Sequence, residues 1–153
     1  MKSAQMTSKY AILTLALLLV ACAATAPKPD RTSTPDSGNP DLACQLPSNC
    51  VSSLGNGGLE ALPFAGTPTQ AMGMLQATLT TFPEATIVRS EPLLMVVIFT
   101  TPAGFRDQVD FRIDPQAQRI DFRSRSLFGL FDWGKNRSRM QEFKRRFEDK
   151  SRS

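Results

Sequence analysis

The stretch Gln108-Val109-Asp110-Phe111-Arg112-Ile113-Asp114-Pro115-Gln116-Ala117-Gln118-Arg119-Ile120-Asp121-Phe122-Arg123-Ser124-Arg125 decides the fold. Val109, Phe111 and Ile113 alternate with Asp110, Arg112 and Asp114. Ile120, Phe122 and Ser124 then alternate with Arg119, Asp121, Arg123 and Arg125. A period of two marks a half-buried strand. The spacing therefore predicts strands over 108–114 and 119–125, joined by a turn at Asp114–Gln118. Antiparallel pairing about that turn sets Asp114 against Arg119, Arg112 against Asp121 and Asp110 against Arg123. The same register stacks Ile113 on Ile120 and Phe111 on Phe122. Each such pair contributes about 0.2–1 kcal/mol, and a one-residue slip would turn the charges inward. These carboxylates read better as a structural ladder than as a pair of catalytic acids.

Upstream, Ala85–Ser90 and Leu93–Thr101 are expected strands, the second almost wholly apolar and hence central. Before them, Thr67 and Pro68 open a helix whose Ala71, Met72, Leu75 and Leu79 share a face, and Pro83 ends it. Met72, Met74 and Met95 read as core filler rather than ligands. Gly55-Asn56-Gly57-Gly58 is a loop. Downstream, a last helix is expected from Arg137 to Asp149, capped by Asn136, with Met140, Phe143 and Phe147 as its buried stripe. Glu142 and Arg146 form an i,i+4 pair on it. The expected class is α+β: a small antiparallel sheet of about four strands with an N-terminal and a C-terminal helix packed on it.

Composition narrows the chemistry. Across 153 residues the chain is 41% hydrophobic and 21% charged, with net charge +4, which excludes a mostly disordered chain, a multi-pass membrane protein and a collagen-like fibre. With 0 His there is no histidine triad and no His-ligated metal. Neither a metal nor any other cofactor is implied.

The N-terminus carries an address. Lys2 and Lys9 precede an apolar run, Ala11–Ala21, broken only by Thr14. That run is about half the roughly 20 residues a spanning helix needs, and it fits a signal peptide. It ends in Leu19-Val20-Ala21-Cys22, which resembles the bacterial lipobox and implies cleavage before Cys22 and its lipidation, palmitate included. Ala23 after the Cys resembles the outer-membrane sorting pattern of didermic bacteria. Residues 1–21 are thus expected to be a lipoprotein signal peptide. Residues 22–41 are the lipid anchor and a flexible tether rich in Pro, Ser and Thr, and 42–153 form one globular domain. In an oxidising compartment the two remaining cysteines, Cys44 and Cys50, are expected to pair. Their spacing is not that of a redox Cys-x-x-Cys, and no His or third free Cys completes a metal site. Loss of Lys2 and Lys9 would leave the mature chain near +2, so overall charge does not point to nucleic acid.

The densest motif is Arg123-Ser124-Arg125-Ser126-Leu127-Phe128-Gly129-Leu130-Phe131-Asp132-Trp133-Gly134-Lys135-Asn136-Arg137-Ser138-Arg139. With Asn49-Cys50-Val51-Ser52-Ser53 near the domain's start, it resembles the bacterial and plastid family catalogued as domain of unknown function 1499. The order Pro47-Ser48 departs from the family pattern, as do Leu127 and Phe131, which make this turn more apolar than usual, and Lys135, which stands where an aliphatic residue is common. The resemblance implies a fold-like unit, often in the cell envelope, and no established activity.

Two readings of the motif compete. In one it is architecture: Gly129, Asp132 and Gly134 build a turn that delivers Asn136 to the helix start, with Asp132 offsetting Arg137 or Arg139 near the positive end of the helix dipole. In the other, Ser124, Ser126, Asn136, Arg137 and Arg139 bind an anion at the helix start. Residues 135–152 hold eight Lys or Arg against three acids, which reads as a solvated face or a contact with an anionic membrane. The expected function is a lipid-anchored, periplasm-facing accessory module, on the outer rather than the inner membrane, that binds an anionic envelope component or another envelope protein. No catalytic residue is assigned. The alternatives are a structural spacer and a carboxylate-dependent envelope hydrolase using Asp132.

Overall fold

The computed structural model describes residues 42–55 and 59–152. The expected signal peptide, Cys22 and the tether up to residue 41 lie outside the described residues, as do residues 56–58 of the glycine-rich loop.

The hairpin takes the register the charges demand. Strand β5 (Arg106–Asp114) pairs antiparallel with β6 (Arg119–Ser126), with Asp110 opposite Arg123, Arg112 opposite Asp121 and Asp114 opposite Arg119. Arg123 Nη2 lies 2.8 Å from Asp110 Oδ2, and Arg112 Nη2 lies 3.7 Å from Asp121 Oδ2. The outermost pair has a different occupation. Asp114 Oδ1 accepts the backbone N–H groups of Gln116 at 3.1 Å and Ala117 at 3.0 Å, closing the turn. Arg119 instead reaches Asp121 along its own strand, at 3.3 Å.

Further strands extend the sheet on both sides. β4 (Leu94–Thr100) pairs with β5, and β3 (Ala85–Glu91) forms the far edge beyond β4, with a bulge between Ile87 and Arg89. Two short strands, β1 (Cys50–Ser52) and β2 (Leu62–Pro63), lie one after the other along the outer side of β6. The antiparallel sheet therefore has six strands, ordered β1-β6-β5-β4-β3 with β2 also on β6, where the sequence suggested about four. Segments of three and two residues carry no readable period; their strand character comes from the β6 edge they complete. The Ser53 hydroxyl prolongs that edge, accepting the Phe122 N–H at 2.9 Å.

Helix α1 (Pro68–Leu79) opens with a reciprocal cap. The Gln70 N–H donates to Thr67 Oγ1 at 3.2 Å, and the Thr67 N–H donates to Gln70 Oε1 at 2.8 Å. Helix α2 spans Lys135–Arg152, longer at both ends than the expected 137–149. Both helices contribute to one core on one face of the sheet. There Ala71, Leu75 and Leu79 of α1 and Met140, Phe143 and Phe147 of α2 join Met95, Val97, Phe99, Val109, Phe111 and Phe122. The Phe143 ring centroid lies 5.0 Å from Phe111 and 5.7 Å from Phe82. Fully burying each such side chain contributes about 1.5–3 kcal/mol. Arg146 ties the helices together: it is paired with Glu142 at 2.7 Å, donates to the Thr81 carbonyl after α1 and stacks over the Phe82 ring at 4.2 Å.

Candidate functional site

The polar residues of the motif converge where β5, β6 and α2 meet, on the same sheet face as the apolar core. Alternation carries Ser124 and Ser126 onto that face after Ile120 and Phe122, and Asp107 before Val109 and Phe111. Helical spacing aims Asn136 and Arg139 at the same point. Asn136 is fully buried, and Asp107 and Arg139 are nearly so.

Asn136 is the hub. Its Oδ1 accepts from Ser124 Oγ at 2.6 Å and from Arg139 Nη1 at 3.0 Å. Its Nδ2 donates to the Asn49 carbonyl and to Ser126 Oγ, both at 3.1 Å. Ser126 in turn donates to Asp107 Oδ1 at 2.6 Å, and Arg139 Nη2 donates to Asp107 Oδ2, also at 2.6 Å. The Arg139 guanidinium also lies over the Phe99 ring, 4.8 Å from its centroid. The buried cation is thus matched by a buried carboxylate, and both amide ends of Asn136 are used. Such a closed network is the form in which buried polar groups are tolerated.

Four of the five residues of the expected anion site, Ser124, Ser126, Asn136 and Arg139, meet in this network, around the chain's own carboxylate. Arg137 stands apart. It is exposed, lines an open cleft of about 380 Å³ with Ser48, Cys50 and Asp132, and forms no ion pair among the described residues. Asp107 was not singled out from the sequence. The available signal was parity: it is the one acid on the core-facing side of its strand.

Asn136 was expected as the helix cap. It lies inside the first turn of α2, and Asp132 takes the capping role. Asp132 Oδ1 accepts the Gly134 N–H and Oδ2 accepts the Asn136 N–H, each at 2.9 Å. It forms no ion pair with Arg137 or Arg139 among the described residues, so the expected offset of these cations comes, for Arg139, from Asp107. The turn needs left-handed backbone at Gly129 (φ 90°) and Gly134 (φ 77°), which glycine adopts without steric cost. The N-terminal motif clasps it. Asn49 Nδ2 donates to the Gly129 carbonyl at 2.6 Å, Ser48 Oγ donates to the Leu130 carbonyl at 2.5 Å, and the Asp132 N–H donates to the Ser48 carbonyl at 3.2 Å. The Cys44–Cys50 disulfide, with Cα atoms 5.6 Å apart, closes the segment that supplies this clasp.

The two ends of the chain's densest sequence signal are therefore one structural unit, and the family profile described as Protein of unknown function (DUF1499) matches residues 42–147, which include both. The chain belongs to the DUF1499 family. Neither a curated protein nor a solved structure matches it. In DUF1499 terms, Asn49, Ser124, Asn136 and Arg139 hold the two ends of the domain together.

Proposed function

We propose that this DUF1499 protein is a lipid-anchored envelope protein whose folded domain is a non-catalytic binding or accessory module. The observation that carries the reading is the use made of the motif's polar groups. Both oxygens of Asp132 hold backbone N–H groups at the start of α2, and Arg139 is matched by Asp107. A carboxylate used as a helix cap is suited to hold a turn rather than to activate water. The anchor is supported by the order Lys2, Lys9, the apolar run Ala11–Ala21 and Cys22. Palmitate attached at Cys22 would hold the chain at a membrane, since each buried methylene contributes about 0.8 kcal/mol. An outward, periplasm-facing position on the outer membrane follows from Ala23 if the source is a didermic bacterium. The partner in this reading is an anionic envelope component or another envelope protein, with no role for nucleic acid.

Labelling cells with radioactive palmitate tests the anchor. The wild-type chain takes up label and fractionates with membranes, while Cys22→Ser is unlabelled and stays unprocessed or soluble. Label retained in Cys22→Ser would overturn the assignment. Asp132→Ala is expected to lower stability in step with the loss of a helix cap; an unchanged stability together with a lost envelope-hydrolase activity would restore the catalytic reading of Asp132.

A further inference from the structure

The turn that the network holds in place displays apolar side chains to water. Phe128, Leu130, Phe131 and Trp133 are 50%, 68%, 67% and 95% exposed, although they fall within a single short loop. Their backbone is not free to fold them back. Asn49, Ser48 and Asp132 fix the carbonyls or N–H groups of Gly129, Leu130, Asp132 and Gly134, so the side chains are held outward. Phe105, 56% exposed, lies at the same end of the sheet, next to Arg106, whose carbonyl accepts the Leu127 N–H. Cations lie close to the loop, Lys135 and Arg137 just after it in the chain and Arg106 beside Leu127. Arg106, Lys135 and Arg137 are exposed and form no ion pair among the described residues. The one acid between Ser126 and Gln141 is Asp132, whose oxygens are turned to the backbone.

We infer that the loop Phe128–Trp133 inserts into the interfacial zone of a lipid bilayer that carries anionic headgroups. Trp and Phe beside Lys and Arg are the side chains that suit the boundary between acyl chains and headgroups. Each basic residue near an anionic surface adds to the attraction. A single protruding loop is also small against the roughly 20–30 residues per side of a stable protein interface. The anchor favours the same occupant: on the anchoring reading proposed above, on which this inference rests, a lipidated Cys22 would already hold the domain beside a bilayer. A short tether keeps the effective concentration of the loop at the surface high, so a weak insertion suffices.

Trp133 is the single tryptophan of the chain and reports its own depth. The full chain is reconstituted into vesicles of phosphatidylethanolamine and phosphatidylglycerol and into vesicles of phosphatidylcholine alone. Flotation reads anchoring, and Trp133 fluorescence reads the loop. On the anionic vesicles the emission is expected to shift to the blue, to be quenched by lipids brominated near the headgroup and to be shielded from iodide. Leu130→Ser with Phe131→Ser should restore iodide quenching to the level of free tryptophan while the chain still floats and its thermal unfolding is unchanged. Lys135→Gln with Arg137→Gln should reduce shielding on anionic vesicles and leave it unaltered on phosphatidylcholine. A floating chain whose Trp133 stays open to iodide overturns the insertion and leaves the anchor standing; this is also the result expected if the loop serves a protein partner. A chain that fails to float overturns both. A Cys22→Ser chain whose Trp133 is still quenched by brominated lipid supports insertion and isolates the failure to the anchor.

Discussion

Two sets of charges lie on opposite faces of the same β5–β6 hairpin, and they are held in different ways. On one face, Asp110, Arg112, Asp121 and Arg123 meet because neighbouring strands bring them opposite each other. On the other, Asp107 and Arg139 meet across a long stretch of chain, with Asn136, Ser124, Ser126 and the Asn49 carbonyl completing the arrangement. The first set finds its opposite charges within the hairpin, although Arg123 also reaches the Ala43 carbonyl and Asp121 the Ser53 hydroxyl. The second exists only when the N-terminal segment, the sheet and α2 are all in place. The comparison teaches that opposite charges at cross-strand positions report a register, while a closed buried network reports the assembly of the whole domain.

The sharpest way to break this contrast is to remove the carboxylate of the assembled network. Asp107→Ala leaves Arg139 buried against Phe99 without its counter-charge and should cost about 3–5 kcal/mol in urea-induced unfolding. A loss below 1 kcal/mol would mean that Arg139 escapes to water and that the network is not a unit. On the hairpin face, Asp110→Asn should cost less, about 1–3 kcal/mol. Arg123 also donates to the Ala43 carbonyl, at 3.4 Å, so it keeps a partner there. Equal losses at the two sites, measured by the same denaturation, would erase the distinction.

The half-exposed rung sharpens the comparison from below. Arg112 lies 3.7 Å from Asp121 and is 37% exposed, so Arg112→Ala should change stability by no more than about 1 kcal/mol. The smallest effect belongs to a pair on one helix surface. Hydrogen bonds from Arg145 and then Arg146 lower the Glu142 pKa from 4.5 to about 2. A depressed folded-state value stabilises the fold above the unfolded pKa, and that contribution is lost as pH falls through the folded one. Wild type and Glu142→Gln should therefore differ in thermal stability above about pH 4.5 and converge as pH falls through about 2. A difference that persisted well below that value would assign the effect to packing rather than charge.

Much of the sheet was legible because its signals are local. Alternation over 108–125 defined two strands, their turn and their register, and the apolar run at 94–99 marked a strand buried along its length. The stripe Met140, Phe143, Phe147 identified the core face of α2. The missed parts are those without a period of their own. β1 and β2 are too short to alternate, and they become strands by completing the edge of β6. Asn136 reads as a cap by residue type, yet the Asp132 carboxylate, spaced to reach two backbone N–H groups, takes that place and frees Asn136 to turn inward.

What the sequence determined by itself is what neighbouring residues can settle: strand period, the hairpin register, the apolar helix face and a cysteine pair close enough to bond. These follow from side-chain direction and short loops, which chain spacing prescribes. Which distant groups satisfy one another is settled only when the chain folds. Sequence places an arginine at the positive end of a helix and an aspartate at the start of a strand, and nothing in their spacing joins them. Burial does, because a charge removed from water must find its partner within reach, and folding brings Asp107 to Arg139 with Asn136 between the sheet and the clasp.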